Sequence, residues 1–223
     1  MTTRTIRVWD LPTRLFHWLL VLAVAGAYTT AELRGEFFVW HGRFGLAILG
    51  LLVFRLVWGL IGPTYARFAS FKPDAQAIRH YIDGVWHGAG HNPLGALSVF
   101  GMLLVLLLQA GTGLFASNQR AEFHGPLFDL VGKALSHDIS GVHEFIFNFV
   151  MALVILHVAA IAWYVRVKKK NLVKPMLTGD AETDDDKLQA TQGGGPLAFA
   201  LALAVALGVV WLIGSGTLVA WLA

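Results

Sequence analysis

An all-α integral membrane protein, built as a four-helix bundle followed by a fifth C-terminal transmembrane helix, is what the sequence predicts. Three observations carry this. Of 223 residues, 56% are hydrophobic and only 14% charged, against roughly a quarter charged in soluble domains; the mean hydropathy is +0.62. Five apolar stretches reach the roughly 17 to 20 residues needed to cross a hydrocarbon core of about 30 Å. None alternates with period two, and such spans satisfy their backbone polar groups in lipid only as helices.

The spans read Leu15–Ala31, Phe37–Gly62, Leu94–Ala116, Val142–Val165 and Leu197–Leu222. They occupy about half the chain and leave no room for a separate soluble domain of ordinary size. The first has the basic start of a secretory signal. The Trp9-Asp10-Leu11-Pro12 stretch before it and the histidine inside it favour a retained span instead.

Basic residues set the expected orientation. Eleven flank the N-terminus, the loop between spans two and three, and the exit of span four: Arg4, Arg7, Arg14, Arg67, Lys72, Arg79, Arg166, Lys168, Lys169, Lys170 and Lys174. The alternate loops hold Arg34, Arg120 and Lys133. The positive-inside rule then puts the N-terminus in the cytoplasm of a multi-pass protein of a bacterial inner membrane. Three regions follow: a four-helix domain over 1–168, an acidic and Gly-rich cytoplasmic tether over 169–196, and the fifth helix over 197–223. The tether carries Asp180, Glu182, Asp184, Asp185 and Asp186 and ends in Gly193-Gly194-Gly195, a composition expected to be flexible.

The chain has no cysteine. Disulfides, thiolate zinc sites, iron–sulfur ligation and covalent c-type haem are therefore excluded, and metal chemistry falls to the nine histidines. Four of them, His17, His41, His143 and His157, lie in or at the edge of spans, where an ionisable side chain is costly and marks function by default. A lone neutral histidine also serves as interhelical glue, so the spacing matters. His143 and His157 are 14 residues apart on one helix, about 21 Å along its axis and within about 40° of one face. His41 opens span two near the outer side and His17 enters span one near the inner side. Pairing His17 with His157 and His41 with His143 gives two bis-histidine haem irons at two depths of a four-helix bundle. Arg55, 14 residues after His41, projects from nearly the same face and suits a haem propionate, although snorkelling to the inner surface also explains it. Gly42, Gly45, Gly59, Gly111 and Gly113 allow close approach of a porphyrin or simply of neighbouring helices.

These residues fall into motifs. Arg7-Val8-Trp9-Asp10-Leu11-Pro12-Thr13-Arg14-Leu15-Phe16-His17-Trp18, His41-Gly42 with Phe54-Arg55-Leu56-Val57-Trp58-Gly59, Gly90-His91-Asn92-Pro93-Leu94-Gly95, and Val142-His143-Glu144 with Leu156-His157-Val158 together resemble the bacterial cytochrome b561 and nickel–iron hydrogenase b-type cytochrome family over residues 5–168. The resemblance implies a di-haem core with two noncovalent b haems. It implies electron transfer between the quinone pool and a redox partner, a periplasmic c-type cytochrome or another redox protein. His17, His41, His143 and His157 fill the ligand positions. Membrane lipid is the other expected partner, and no nucleic acid is. Whether the chain also acts as an enzyme, a quinone oxidoreductase, is left open by the resemblance.

Two other readings are carried forward. One is a direct superoxide:quinone oxidoreductase that needs no protein partner. The other, of a different class, is a haem-free membrane anchor or a proton-relay transporter. His80, His87, His91, His124 and His137 lie in loops and read as solvated. His91 is the exception worth following, since Gly90-His91-Asn92-Pro93 stands where polar chain meets the membrane. The segment Asn118–Ser140, with Phe123, Leu127, Phe128 and Leu130, reads as a short helix on the outer surface.

Overall fold

The computed structural model describes residues 4–119 and 122–222; Arg120, counted above among the outer basic residues, lies outside them. In chain order the elements are strand β1 (Arg4–Arg7), helices α1 (Leu11–Leu33), α2 (Phe38–Ile61), α3 (Ala75–Ile82) and α4 (Pro93–Phe115), strands β2 (Ser117–Asn118) and β3 (Phe123–His124), helices α5 (Gly132–Arg166) and α6 (Val173–Thr178), strand β4 (Asp180–Thr183), and helices α7 (Pro196–Gly214) and α8 (Thr217–Leu222). The described chain is thus mostly helical, and α1, α2, α4, α5 and α7 are the five long and apolar enough to span a membrane. Their side chains point outward in a way water would penalise. Leu22, Phe145, Ile155, Leu156 and Trp211 are exposed, and Leu197 is 84% exposed. A contiguous apolar exterior of this extent belongs against lipid.

Helix starts follow local chemistry. Asp10 caps α1: one carboxylate oxygen accepts from the Thr13 backbone N–H at 2.9 Å and the other from the Thr13 hydroxyl at 2.7 Å, with Pro12 tolerated in the first turn. Asn92 caps α4 by accepting from Gly95 N–H at 2.8 Å, and Pro93 and Pro196 occupy the first positions of α4 and α7, where the missing N–H costs nothing.

Two element boundaries differ from the sequence expectation. Of the surface helix expected in 118–140 the structure has a single 3-10 turn of helix at Phe128–Leu130, preceded by a short β2–β3 hairpin, and α5 already begins at Gly132, ten residues before Val142. Residues 133–141 are polar but helix-competent, so hydropathy overlooks them. Ser136 is fully buried there, its hydroxyl donating to the Phe115 carbonyl at 2.8 Å. The fifth span stops at Gly214, because Gly214-Ser215-Gly216 breaks it; Gly216 has φ +73°, and α8 restarts at Thr217. Left-handed backbone of this kind interrupts a helix and favours glycine.

The described chain forms two compact units. The first comprises the N-terminal segment through Phe16, Arg55–Met102 and Leu153–Leu201. In it β1 pairs antiparallel with β4, Arg4 opposite Thr183 and Arg7 opposite Asp180. The acidic and Gly-rich stretch expected to be a flexible tether is therefore pinned. Arg4 donates to the Asp185, Asp186 and Leu188 carbonyls, Thr191 N–H to Arg7 O, and Val8 and Trp9 N–H to Gly179 O. The Tyr65 hydroxyl donates to Gln189 O at 2.7 Å, and burial pushes that hydroxyl's pKa up. Ile6, Val8 and Trp9 form the buried centre, packed by Tyr65, Met176 and Leu188. Burying one such side chain contributes roughly 1.5–3 kcal/mol, more than the exposed Arg7–Asp180 pair at 2.7 Å.

The second unit comprises His17–Phe54, Leu103–Ala152 and the segment from Ala202 onward. Its helices approach closely at small residues. A Cβ on Gly26 would stand 2.6 Å from the Phe44 ring, one on Gly50 2.8 Å from Val210, and one on Gly42 2.3 Å from the Phe123 ring. Tyr28 stacks on Phe147 at 5.6 Å.

Candidate haem-ligating histidines

His41 and His143 meet in the second unit, their ring centroids 6.1 Å apart and their planes at 89°. With metal–imidazole nitrogen bonds of about 2.0–2.1 Å, two rings at this separation could both hold one metal ion. The ring nitrogens are sorted to match. His41 Nδ1 lies 2.8 Å from the Ala27 carbonyl on α1. His143 Nδ1 lies 2.9 Å from the Gln109 carbonyl and 3.1 Å from Thr112 Oγ1, both on α4. A carbonyl can only accept, so each Nδ1 carries the proton and each Nε2 keeps a lone pair. Metal-ligating histidines take this arrangement, with the second nitrogen donated to a backbone oxygen.

The Gln109 carboxamide supports the same tautomer. Its Nε2 lies 3.0 Å from His143 Nε2, so the amide N–H donates to that lone pair. Its Oε1 is buried without a hydrogen-bond partner, and a buried acceptor left so is costly. The amide thus donates to the nitrogen that would bind a metal, while its own oxygen goes unsatisfied. Gly113 completes the seat, since a Cβ there would be 3.0 Å from His143 Cε1; this glycine makes room for the ligand ring itself. Gly42 and Gly59 likewise accommodate the rings of Phe123 and Phe68, whereas a Cβ on Gly45, one turn after His41, meets nothing within 4 Å.

Two protein nitrogens are few for a cation held by protein alone, and among the described residues no three His, Cys, Asp or Glu side chains converge. A facing histidine pair would suit a macrocycle that brings nitrogen ligands of its own. The residues present fit haem.

Arg55 belongs to the first unit. It is 3% exposed, its guanidinium lies 4.6 Å from the Phe68 ring centroid, and its Nη1 is buried with no hydrogen-bond partner. A snorkelling arginine would reach water, and this one does not. Nearby, Trp58 Nε1 donates to Asp10 at 3.0 Å. His91 is enclosed by aromatic rings, Trp9 at 4.7 Å and Phe71 at 4.5 Å. His157 lies on α5 in this unit, while His17 lies on α1 in the other, edge-on to Trp18 at 5.0 Å. His124 packs on Phe128 at 4.2 Å, and His137 is on α5.

Sequence reasoning missed Gln109 and Thr112. The signal was available: both are polar residues that follow the apolar run Leu103–Leu108 within the same span, three residues apart, and so face one side of α4.

A multi-pass helical membrane protein in which two span histidines face each other with their ring nitrogens oriented by backbone carbonyls has, as a class, the features of a membrane cytochrome. The chain belongs to the prokaryotic cytochrome b561 family, whose profile matches residues 8–179, through α6 and past the 5–168 covered by the sequence motifs. By family it is accordingly a b-type cytochrome, and the haem-free anchor or transporter reading gives way. Curated relatives agree. The chain is 24% identical over 147 residues to the probable Ni/Fe-hydrogenase 1 B-type cytochrome subunit of Escherichia coli K12, covering 52% of this chain and 62% of the relative. It is 23% identical over 221 residues to the probable Ni/Fe-hydrogenase B-type cytochrome subunits of Azotobacter chroococcum mcd 1 and Azotobacter vinelandii, covering 82% of this chain and 90% of each relative. The chain thus spans about three-fifths of the Escherichia coli relative's length. No solved structure matches.

Proposed function

We propose that the protein is a di-haem cytochrome of the bacterial inner membrane that carries electrons between the quinone pool and a periplasmic redox partner. The N-terminus is cytoplasmic, as the eleven basic residues favour. His41 and His143 hold the outer haem. His17 and His157 hold the inner one, a pairing that rests on sequence spacing, and Arg55 meets a propionate. The partner is a hydrogenase, as the names of the relatives suggest, or a c-type cytochrome.

The observation that carries this reading is the matched pair of Nδ1-to-carbonyl hydrogen bonds on His41 and His143. Bound haem supplies one-electron exchange at its iron. The chain supplies the rest. Ala27 and Gln109 carbonyls fix both imidazole tautomers before ligation, so little ordering is left to do on binding. The apolar walls exclude water and keep the reorganisation on electron transfer small. Arg55, already stripped of water, offers guanidinium N–H groups to a carboxylate at no further desolvation cost.

The test is a reduced-minus-oxidised spectrum with haem stoichiometry on detergent-purified protein. Two b haems per chain are expected, falling to one in His143→Leu and in His157→Leu. No b-type α-band, or loss of both haems in every single variant, overturns the reading.

A further inference from the structure

The geometry points to Thr112 as the positioning residue that sets the redox potential of the haem bound by His143, an inference that rests on the di-haem reading above. The Thr112 hydroxyl is within hydrogen-bond distance of three groups: the Leu108 carbonyl at 2.8 Å, the Gln109 carbonyl at 3.0 Å, and His143 Nδ1 at 3.1 Å. It has one hydrogen to give. The carbonyls can only accept, so the hydroxyl donates to them and its oxygen is left to accept from His143 Nδ1–H. That proton is therefore shared between two acceptors, Gln109 O at 2.9 Å and Thr112 Oγ1. Among the described residues, His41 Nδ1 has one acceptor, Ala27 O at 2.8 Å.

The asymmetry matters because hydrogen bonding at Nδ1 passes through the ring to Nε2. Pulling on the Nδ1 proton gives the imidazole more anionic character and makes Nε2 a stronger donor to a metal. A stronger donor favours ferric over ferrous iron and so lowers the potential. The Thr112 hydroxyl is itself polarised by donating to Leu108 O, which makes its oxygen a modulable acceptor rather than a neutral spectator. Gln109 and Thr112 divide the work. The Gln109 carbonyl is main chain and holds the ring whatever the side chain, while Thr112 adds a contribution that one hydroxyl can remove. Gly113, with the His143 ring 3.0 Å from where a Cβ would stand, keeps the imidazole close enough to α4 for both contacts.

The experiment is a spectroelectrochemical titration of the full-length protein, resolving both haems, on the wild type, Thr112→Val and Thr112→Ser. Valine keeps the shape and removes the acceptor; serine restores it. Thr112→Val is expected to raise the midpoint of one haem only, so that at a fixed ambient potential its reduced-to-oxidised ratio rises about three- to tenfold, the size of one neutral hydrogen bond; tenfold corresponds to about 59 mV for one electron. Thr112→Ser is expected to stay within about twofold of wild type. Full haem content with both midpoints unmoved in Thr112→Val, equal movement of both, or a shift that serine fails to reverse overturns this inference alone. A wild type with fewer than two b haems overturns the di-haem reading and this inference with it. If Thr112→Val loses haem, Thr112→Ala is titrated in its place, and the same shift is required of it.

Discussion

The imidazole planes of His41 and His143 stand nearly perpendicular, at 89°, with centroids 6.1 Å apart. Each plane is fixed by a hydrogen bond to main chain, Ala27 O for one and Gln109 O for the other, so rotation would break a contact worth about 0.5–1.5 kcal/mol. Crossed axial planes leave the iron d orbitals of a low-spin ferric haem close in energy. The oxidised protein is therefore expected to give a strongly anisotropic EPR signal with a large gmax. That signal should vanish in His143→Leu while the other haem's persists. A spectrum with only near-parallel-ligand signals would show that this pair is not ligating as placed.

Arg55 gives a second prediction. Its buried guanidinium has the Phe68 ring at 4.6 Å and an Nη1 with no hydrogen-bond partner. Removing a buried charge that lacks full compensation is neutral or stabilising for the protein alone. Arg55→Leu should therefore leave the thermal stability of haem-free protein unchanged or raised. In the haem-loaded protein it should lower the potential of the inner haem, because a nearby positive charge favours the reduced state. At an effective dielectric constant of 20, a neighbouring unit charge contributes on the order of 1–2 kcal/mol, a shift in the redox ratio of roughly five- to thirtyfold. Arg55→Lys should recover part of it. An unchanged inner potential in Arg55→Leu would remove the propionate role.

Gly59 tests the same region through packing. A Cβ there would stand 2.1 Å from Phe68 Cε2, so Gly59→Ala must displace the ring that covers Arg55. Overpacking costs typically 1–3 kcal/mol. Phe68→Leu frees that space, so Gly59→Ala should cost much less in its background. The expected coupling in the double-mutant cycle is about 1 kcal/mol or more, read by thermal or denaturant unfolding. Additive losses would mean that the two positions do not share the space.

The five spans were legible because lipid imposes one requirement on every residue of a span, and hydropathy reads that requirement directly. Their ends were less so. Asp10 and Asn92 are capping residues whose roles depend on local turns, and α5 runs ten residues past its apolar part because polar residues also form helix. The acidic stretch 180–186 read as flexible from composition alone; what orders it is a strand at the other end of the chain, with Arg4 reaching the 185–188 carbonyls. No local pattern signals such a long-range pairing. At the candidate site, histidine spacing pairs His41 with His143, and the structure brings their ring centroids to 6.1 Å. Their tautomers depend on which carbonyls face them, and that became visible only with the helices in place.

The β1–β4 pairing gives the last prediction. Arg4 alone connects the N-terminal strand to three consecutive-turn carbonyls, at Asp185, Asp186 and Leu188, while Arg7–Asp180 and Lys174–Glu182 are exposed ion pairs of small worth. A charged donor's hydrogen bonds are worth about 1.5–3 kcal/mol, and here they are partly solvated, so Arg4→Ala is expected to sit at the low end. Backbone amides in 180–192 should then exchange with solvent about tenfold faster, and the segment should become the first site of limited proteolysis. Asp180→Asn and Glu182→Gln should change exchange much less. The haem spectra should stay as in wild type in all three, because Arg4, Asp180 and Glu182 lie on the paired strands β1 and β4 and not on a span. Equal exchange in Arg4→Ala and wild type would mean that the buried Ile6, Val8 and Trp9 hold the pairing without the arginine.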